Sequence, residues 1–139
     1  MMKLTSLQLD LIKTTLKSRG VVTGYVFGSY ARGTAGPLSD LDVGVIFPGN
    51  ISEEEQGNLI EQIRYRLEQT FGRDKVDVIN ITTVKNPLLR YMIVLEEGIL
   101  LYSDDMALNK RIATYTLRSF EDTKHLRNMQ GMIIRKIFA

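Results

Sequence analysis

Hydrophobic and polar positions along this chain alternate in short runs of two periods. Leu7, Leu11, Ile12 and Leu16 recur at helical spacing behind Thr5, which with Gln8 forms a Thr-x-x-Gln capping box, and Gly20 supplies a stop. That predicts a first helix. "VVTGYVF" (21–27) is a continuous apolar run bounded by Gly20 and Gly28, the pattern of a buried strand. "LDVGVIF" (41–47) is a second strand, closed by Pro48-Gly49-Asn50. Ser52 and Glu55 open a helix that runs through Ile60, Ile63 and Leu67 to about Thr70, with Gly72 after it. "KVDVINI" (75–81) has a clear period of two, with Val76, Val78 and Asn80 on one face and Asp77, Ile79 and Ile81 on the other.

Asn86-Pro87 fits a cap followed by a first-turn proline, so a short helix is expected to end at Gly98, with "ILLY" (99–102) as a fourth strand. Between Ser103 and Gly131 there is neither Gly nor Pro, and apolar residues fall at 108, 112, 115, 126, 129, 133 and 137. This predicts one long helix, or two broken near Gly131. At 1.5 Å per residue it would reach about 50 Å, more than a small sheet can cover. Its seam of Ile112, Tyr115, Leu126, Met129 and Ile133 is therefore expected to leave an exposed stripe of the kind that marks an interface.

Composition adds bounds. A chain of 139 residues, 44% apolar and 24% charged, suits one globular domain, with residues 1–103 as its core and 104–139 as a helical extension of the same compact unit. The net charge of +2 is unevenly spread. Residues 106–139 carry seven basic and two acidic side chains, a net of +5, whereas residues 1–105 carry eleven and fourteen, a net of −3. Arg118, Lys124, His125 and Arg127 lie in that basic stretch, which suits an acidic partner, a nucleic acid or a solvated helix face. The absence of cysteine excludes disulfides, thiolate metal sites and thiol nucleophiles. No apolar run is long enough to span a membrane and "MMKLTSLQLD" has no signal-peptide core, so a cytoplasmic protein is expected.

The chemistry lies between the first two strands. Asp40 and Asp42 stand two apart at the head of a strand, so both side chains leave the same face within roughly 7 Å. Two such charges repel and are costly to bury unpaired, yet no Lys or Arg lies within the strand. An all-oxygen donor set favours Mg²⁺ or Mn²⁺, and Mg²⁺ characteristically joins one or two carboxylates to substrate phosphates. Asp77 places a third acid in an apolar strand. Should the second and third strands be neighbours, three carboxylates would converge, enough for two ions. Gly28-Ser29 ends the first strand, where glycine lets backbone amides approach an anion and Ser29 adds a hydroxyl. Arg32 adds a bidentate cation. Phosphate-binding amides beside metal-binding acids point to phosphoryl or nucleotidyl transfer. Other motifs fall short. Gly28-x4-Gly33-Thr34 lacks the lysine of a P-loop, and Ser29 is not in a Gly-x-Ser-x-Gly elbow.

Gly28-Ser29, ten residues, then Asp40-Leu41-Asp42 resembles the signature of the minimal nucleotidyltransferases of the DNA polymerase beta superfamily. Ala31-Arg32-Gly33 and Ser39 flank it as in that family, and Asp77 in "VDVIN" matches its third carboxylate. The resemblance covers roughly residues 5–102. It implies an α/β (α+β) nucleotidyltransferase fold, a small mixed sheet with helices on one side, followed by the long C-terminal helix or helix pair. It further implies that Gly28, Ser29, Arg32 and Ser39 bind the nucleotide, that Asp40, Asp42 and Asp77 hold two Mg²⁺ ions, and that Asp77 assists the attacking hydroxyl. ATP would be the substrate and AMP the group moved. In the small stand-alone members the partner is a HEPN ribonuclease toxin, and the nucleotidyltransferase is its antitoxin, adenylylating a toxin tyrosine. Neither a membrane nor direct nucleic-acid binding is expected. Alternatives are a small hydroxylated acceptor such as an aminoglycoside, bound with a helper subunit, and a non-catalytic binding antitoxin.

Overall fold

The computed structural model describes residues 3–123. Helix α1 (Ser6–Ser18) starts as the capping box requires: the Gln8 amide donates to Thr5 Oγ1 at 3.1 Å and the Thr5 amide to Gln8 Oε1 at 2.9 Å. Ile12 and Leu16 are fully buried, whereas Leu7 is 82% exposed. The chain then enters β1 (Thr23–Phe27), a short helix α2 (Gly28–Arg32), and β2 (Leu41–Ile46). Helix α3 (Glu53–Phe71) is capped by Ser52, whose Oγ accepts from the Glu55 amide at 3.2 Å. Strand β3 (Val76–Asn80) follows. Helix α4 (Pro87–Tyr91) has Asn86 accepting from the amides of Leu88 and Leu89, and it widens into a π-helical turn over Met92–Glu96. Strand β4 (Ile99–Ser103) and helix α5 (Met106–Asp122) complete the described chain.

The four strands form one mixed sheet in the order β3-β2-β1-β4. β1 is antiparallel to both neighbours, and β2 and β3 are parallel. The two central strands are buried along their whole length, which is why they read as unbroken apolar runs rather than alternating ones. On edge strand β3, Val76 and Val78 pack toward α1 and α3, and Ile79 packs toward the opposite face.

The class is the one expected, but the helices do not keep to one side. α1 and α3 cover the face that carries Val26, Val43, Val45 and Val76. The opposite face, with Tyr25, Phe27, Ile46 and Ile81, packs against Ile93 of the π-helical turn and against Leu108 and Ile112 of α5. This face is apolar toward β4 and needs cover there. Asp42 and Asp77 stand side by side on the β2–β3 end of the sheet.

That packing differs from the expected exposed seam at Ile112. Ile112 is turned into the protein's own core, Thr116 is fully buried, and the Phe120 ring stacks on Tyr91 at 3.9 Å. Tyr115 of the seam is 60% exposed. The break near Gly131, the seam residues Leu126, Met129 and Ile133, and Lys124, His125 and Arg127 lie outside the described residues.

Candidate active site

The register of the sheet builds the site. Phe27, the last residue of β1, sits across from Asp42 on β2, and Asp42 sits across from Asp77 on β3. The turn out of β1 and both aspartates thus share one row across the sheet. At Gly28 the backbone takes φ +71°, a left-handed conformation that disfavours a side chain. Space forbids one as well, since a Cβ would fall on Asp42 Oδ2. Gly28 is required here by the carboxylate packed against it, a reason that the phosphate-approach argument from sequence did not contain. Ser29 follows, 4% exposed, in a five-residue helix whose N-cap Phe27 supplies no capping side chain. Gly33 closes that helix in the left-handed conformation, with its amide on the Ser29 carbonyl.

The loop back to β2 is tied by Ser39. Its Oγ accepts from the Gly36 amide at 2.9 Å, and its own amide donates to the Gly36 carbonyl at 3.1 Å. Ser39 thereby shapes the loop that delivers Asp40. Asp40 itself lies just before β2, half-exposed, with Lys75 Nζ 4.0 Å from its carboxylate. The lysine lies on the neighbouring strand's approach rather than within the strand that bears Asp42. Parallel pairing brings it there, because the Leu41 amide donates to the Lys75 carbonyl at 2.8 Å.

Asp42 is the anomaly. It is 4% exposed, and its Oδ1 has no hydrogen-bond partner. Its pKa is pushed up to about 8, first by burial, then by the charges of Asp77 and Asp40 and the nearness of the Asp77 carboxylate, with Arg32 pulling the other way. Asp77, exposed on the edge strand, also borders an open hollow of about 450 Å³ lined by Glu61, Arg64, Tyr65 and Glu68 of α3. The structure therefore brings Gly28, Asp42 and Asp77 into contact distance, with Asp40 and Arg32 close enough to act on Asp42 through their charge. Among the described residues no three acids are spaced to enclose a metal ion by themselves. Arg32 is in an ion pair, its Nη1 3.1 Å from Glu97 Oε2. Glu97 went unnoticed in the sequence. Its signal was the pair Glu96-Glu97 placed just before a glycine and an apolar strand.

The donor set suits a hard cation. It is all oxygen, it includes a buried carboxylate oxygen lacking a partner, and like charges crowd that oxygen. An ion held by Asp42 and Asp77, with Asp40 beside them, would complete its shell with substrate oxygens and water, the usual habit of Mg²⁺.

Comparisons with known proteins agree with this geometry. The family model "Polymerase beta, Nucleotidyltransferase" matches residues 10–107. A search of curated proteins found no match. Among solved structures, the chain is similar to a toxin–antitoxin complex with AMP-PNP (TM-score 0.63, 21% identity, 94% of this chain and 98% of that one). It is also similar to a Shewanella oneidensis complex of a tri-AMPylated HEPN toxin with its MNT antitoxin (TM-score 0.59, 19% identity, 96% and 98%). A structure provisionally described as a minimal nucleotidyltransferase is 31% identical over 70% of this chain and 95% of its own, with a TM-score of 0.54. A family model that covers most of the chain, set on a sheet whose register gathers its acids beside Gly28-Ser29, places the chain in the Polymerase beta nucleotidyltransferase family.

Proposed function

We propose that this protein is a divalent-metal-dependent adenylyltransferase that moves AMP from ATP to a tyrosine hydroxyl of a cognate HEPN ribonuclease toxin, acting as its antitoxin in the cytoplasm. The observation that carries the reading is Asp42, a buried carboxylate with an unpartnered oxygen, crowded by two further acids beside a Gly-Ser turn. The similarity to complexes of toxin and antitoxin, one with AMP-PNP and one with an AMPylated toxin, supports the choice of nucleotide and partner.

In this reading Asp40, Asp42 and Asp77 hold Mg²⁺ (two ions, with Mn²⁺ able to substitute). When bound, the metal supplies positive charge against the triphosphate and against the charge that develops during transfer. The backbone amide at Gly28 and the Ser29 hydroxyl cradle the phosphates, Arg32 adds a guanidinium, and Ser39 keeps the loop that carries Asp40 in shape. Asp77 takes the acceptor's proton. The acceptor oxygen bonds to the α-phosphorus, the bond from that phosphorus to the β-phosphate bridging oxygen breaks, and pyrophosphate leaves. Residues 1–103 form the catalytic core, and 104–139 extend it within the same unit.

The test uses ATP labelled at either the α- or the γ-phosphate, with Mg²⁺ and a cognate HEPN toxin. Nucleotidyl transfer leaves the α-label on the acceptor and releases the γ-label as pyrophosphate, and EDTA stops both. Retention of the γ-label on the acceptor would mean phosphoryl transfer and would refute the reading.

A further inference from the structure

Glu97 is an acid in an unexpected position. Its side chain is only 9% exposed, and carboxylates are seldom buried without a purpose-built partner. One partner is Arg32, 65 positions away in sequence, which donates from Nη1 to Glu97 Oε2 at 3.1 Å. The backbone around Glu97 is fixed for this placement. Its amide reaches back five residues to the Met92 carbonyl at 2.7 Å, the π-helical register, and the Gly98 amide shares the same carbonyl at 3.2 Å. Each residue turns a helix by about 100°, so the wider register decides which way Glu97 faces. Gly98 holds the exit tight, because a Cβ there would fall on the Ile93 carbonyl oxygen.

At the other end, Arg32 closes α2 four residues after Gly28, one helical turn along the same face. Gly28 lies against Asp42. We propose that Glu97 is a positioning residue: the 3.1 Å ion pair from the π-helical turn holds the Arg32 guanidinium at the Gly28–Asp42 end of the site, where it meets the triphosphate of the incoming nucleotide. This rests on reading the site as a nucleotidyltransferase centre. A planar guanidinium suits the task, because one edge of its fork can bind a carboxylate while another faces a phosphate. An unheld arginine would lose that orientation to its own rotamer freedom.

Charge alone makes the opposite forecast, which gives the test its edge. Removing an anion from beside a triphosphate should tighten binding if Glu97 acts only through its field. Positioning requires weaker binding. Affinity for ATP with Mg²⁺ would be measured by calorimetry for the wild type, Glu97→Gln, Arg32→Ala and the double variant. The expected result is a loss of about fivefold to tenfold for Glu97→Gln and at least as much for Arg32→Ala. In the Arg32→Ala background, Glu97→Gln should cost nothing further. Glu97→Asp, which keeps the charge but shortens the reach, should fall between the wild type and Glu97→Gln, and it serves as the reporter if the glutamine variant fails to fold. Unchanged or tighter binding by Glu97→Gln, or equal losses with and without Arg32, overturns the positioning role alone. A wild-type protein that does not bind ATP with Mg²⁺ overturns the nucleotidyltransferase reading and this one together.

Discussion

A single buried carboxyl group, Asp42, carries a stability cost as well as its proposed role in the chemistry. Asp42 holds its proton up to about pH 8 in the folded protein, whereas its ordinary value is 3.8. Between those limits the native state binds a proton that the unfolded chain has released, so stability falls as pH rises across the window. Without metal, the melting temperature of the wild type should therefore decline more steeply from pH 4 to pH 8 than that of Asp42→Asn, which has no proton to lose there. Mg²⁺ should stabilise the wild type more at pH 8 than at pH 5, because binding must displace that proton, and Asp42→Asn should lose this gain. Thermal denaturation with and without Mg²⁺ at both pH values checks the sign. Gly28→Ala tests the neighbouring contact. A methyl group there meets both a left-handed backbone and Asp42 Oδ2, so a loss of roughly 1–3 kcal/mol is expected, together with activity reduced as far as in the aspartate variants. Ser29→Ala should weaken nucleotide binding by about 1.5–3 kcal/mol and lower activity less than the aspartate variants do, since the backbone amides remain. Equal ATP affinity in Gly28→Ala and wild type would show that the cradle lies elsewhere.

Among the elements, those with one strong local signal were legible. The Thr5–Gln8 and Ser52 caps, the Asn86-Pro87 helix start and the period-two pattern of β3 all stand where the sequence put them. What the sequence lacked were signals carried by pairing. Nothing local says that Lys75 lies beside Asp40, because parallel pairing of β2 and β3 brings them together. Nor does any local pattern announce a π-helical turn, whose register shows only in the Glu97 and Gly98 amides bonding to Met92. At this scale Gly98→Ala is informative. The added methyl cannot coexist with the Ile93 carbonyl, so the junction between the π-helical turn and β4 should shift, at a cost of roughly 1–3 kcal/mol by urea denaturation. Wild-type stability in Gly98→Ala would mean that the tight exit is not needed.

At the level of the whole molecule, the described part of α5 divides between cover and surface: Ile112 packs on the sheet while Tyr115 stays exposed. A four-stranded sheet has two faces, and the second takes Leu108 and Ile112 of α5 as its own roof. Removing the chain from Met106 onward should therefore cost several kcal/mol and expose Tyr25, Phe27 and Ile93, rather than leave a sound core without a docking arm. Loss of a cooperative urea transition in that truncated chain is the expected outcome. The candidate site was far more legible than this packing, since Gly28-Ser29 and the Asp40–Asp42 pair are close in sequence and only Asp77 depended on a strand order that sequence leaves open. The most direct test of the central claim is the mass of the helical partner after incubation with ATP and Mg²⁺. Wild-type protein should raise it by whole adenylate units placed on tyrosine, and the Asp40→Asn/Asp42→Asn double variant should leave it unchanged. An unmodified partner with the wild type, or equal modification with the double variant, would contradict the assignment of this carboxylate site as the centre of nucleotidyl transfer.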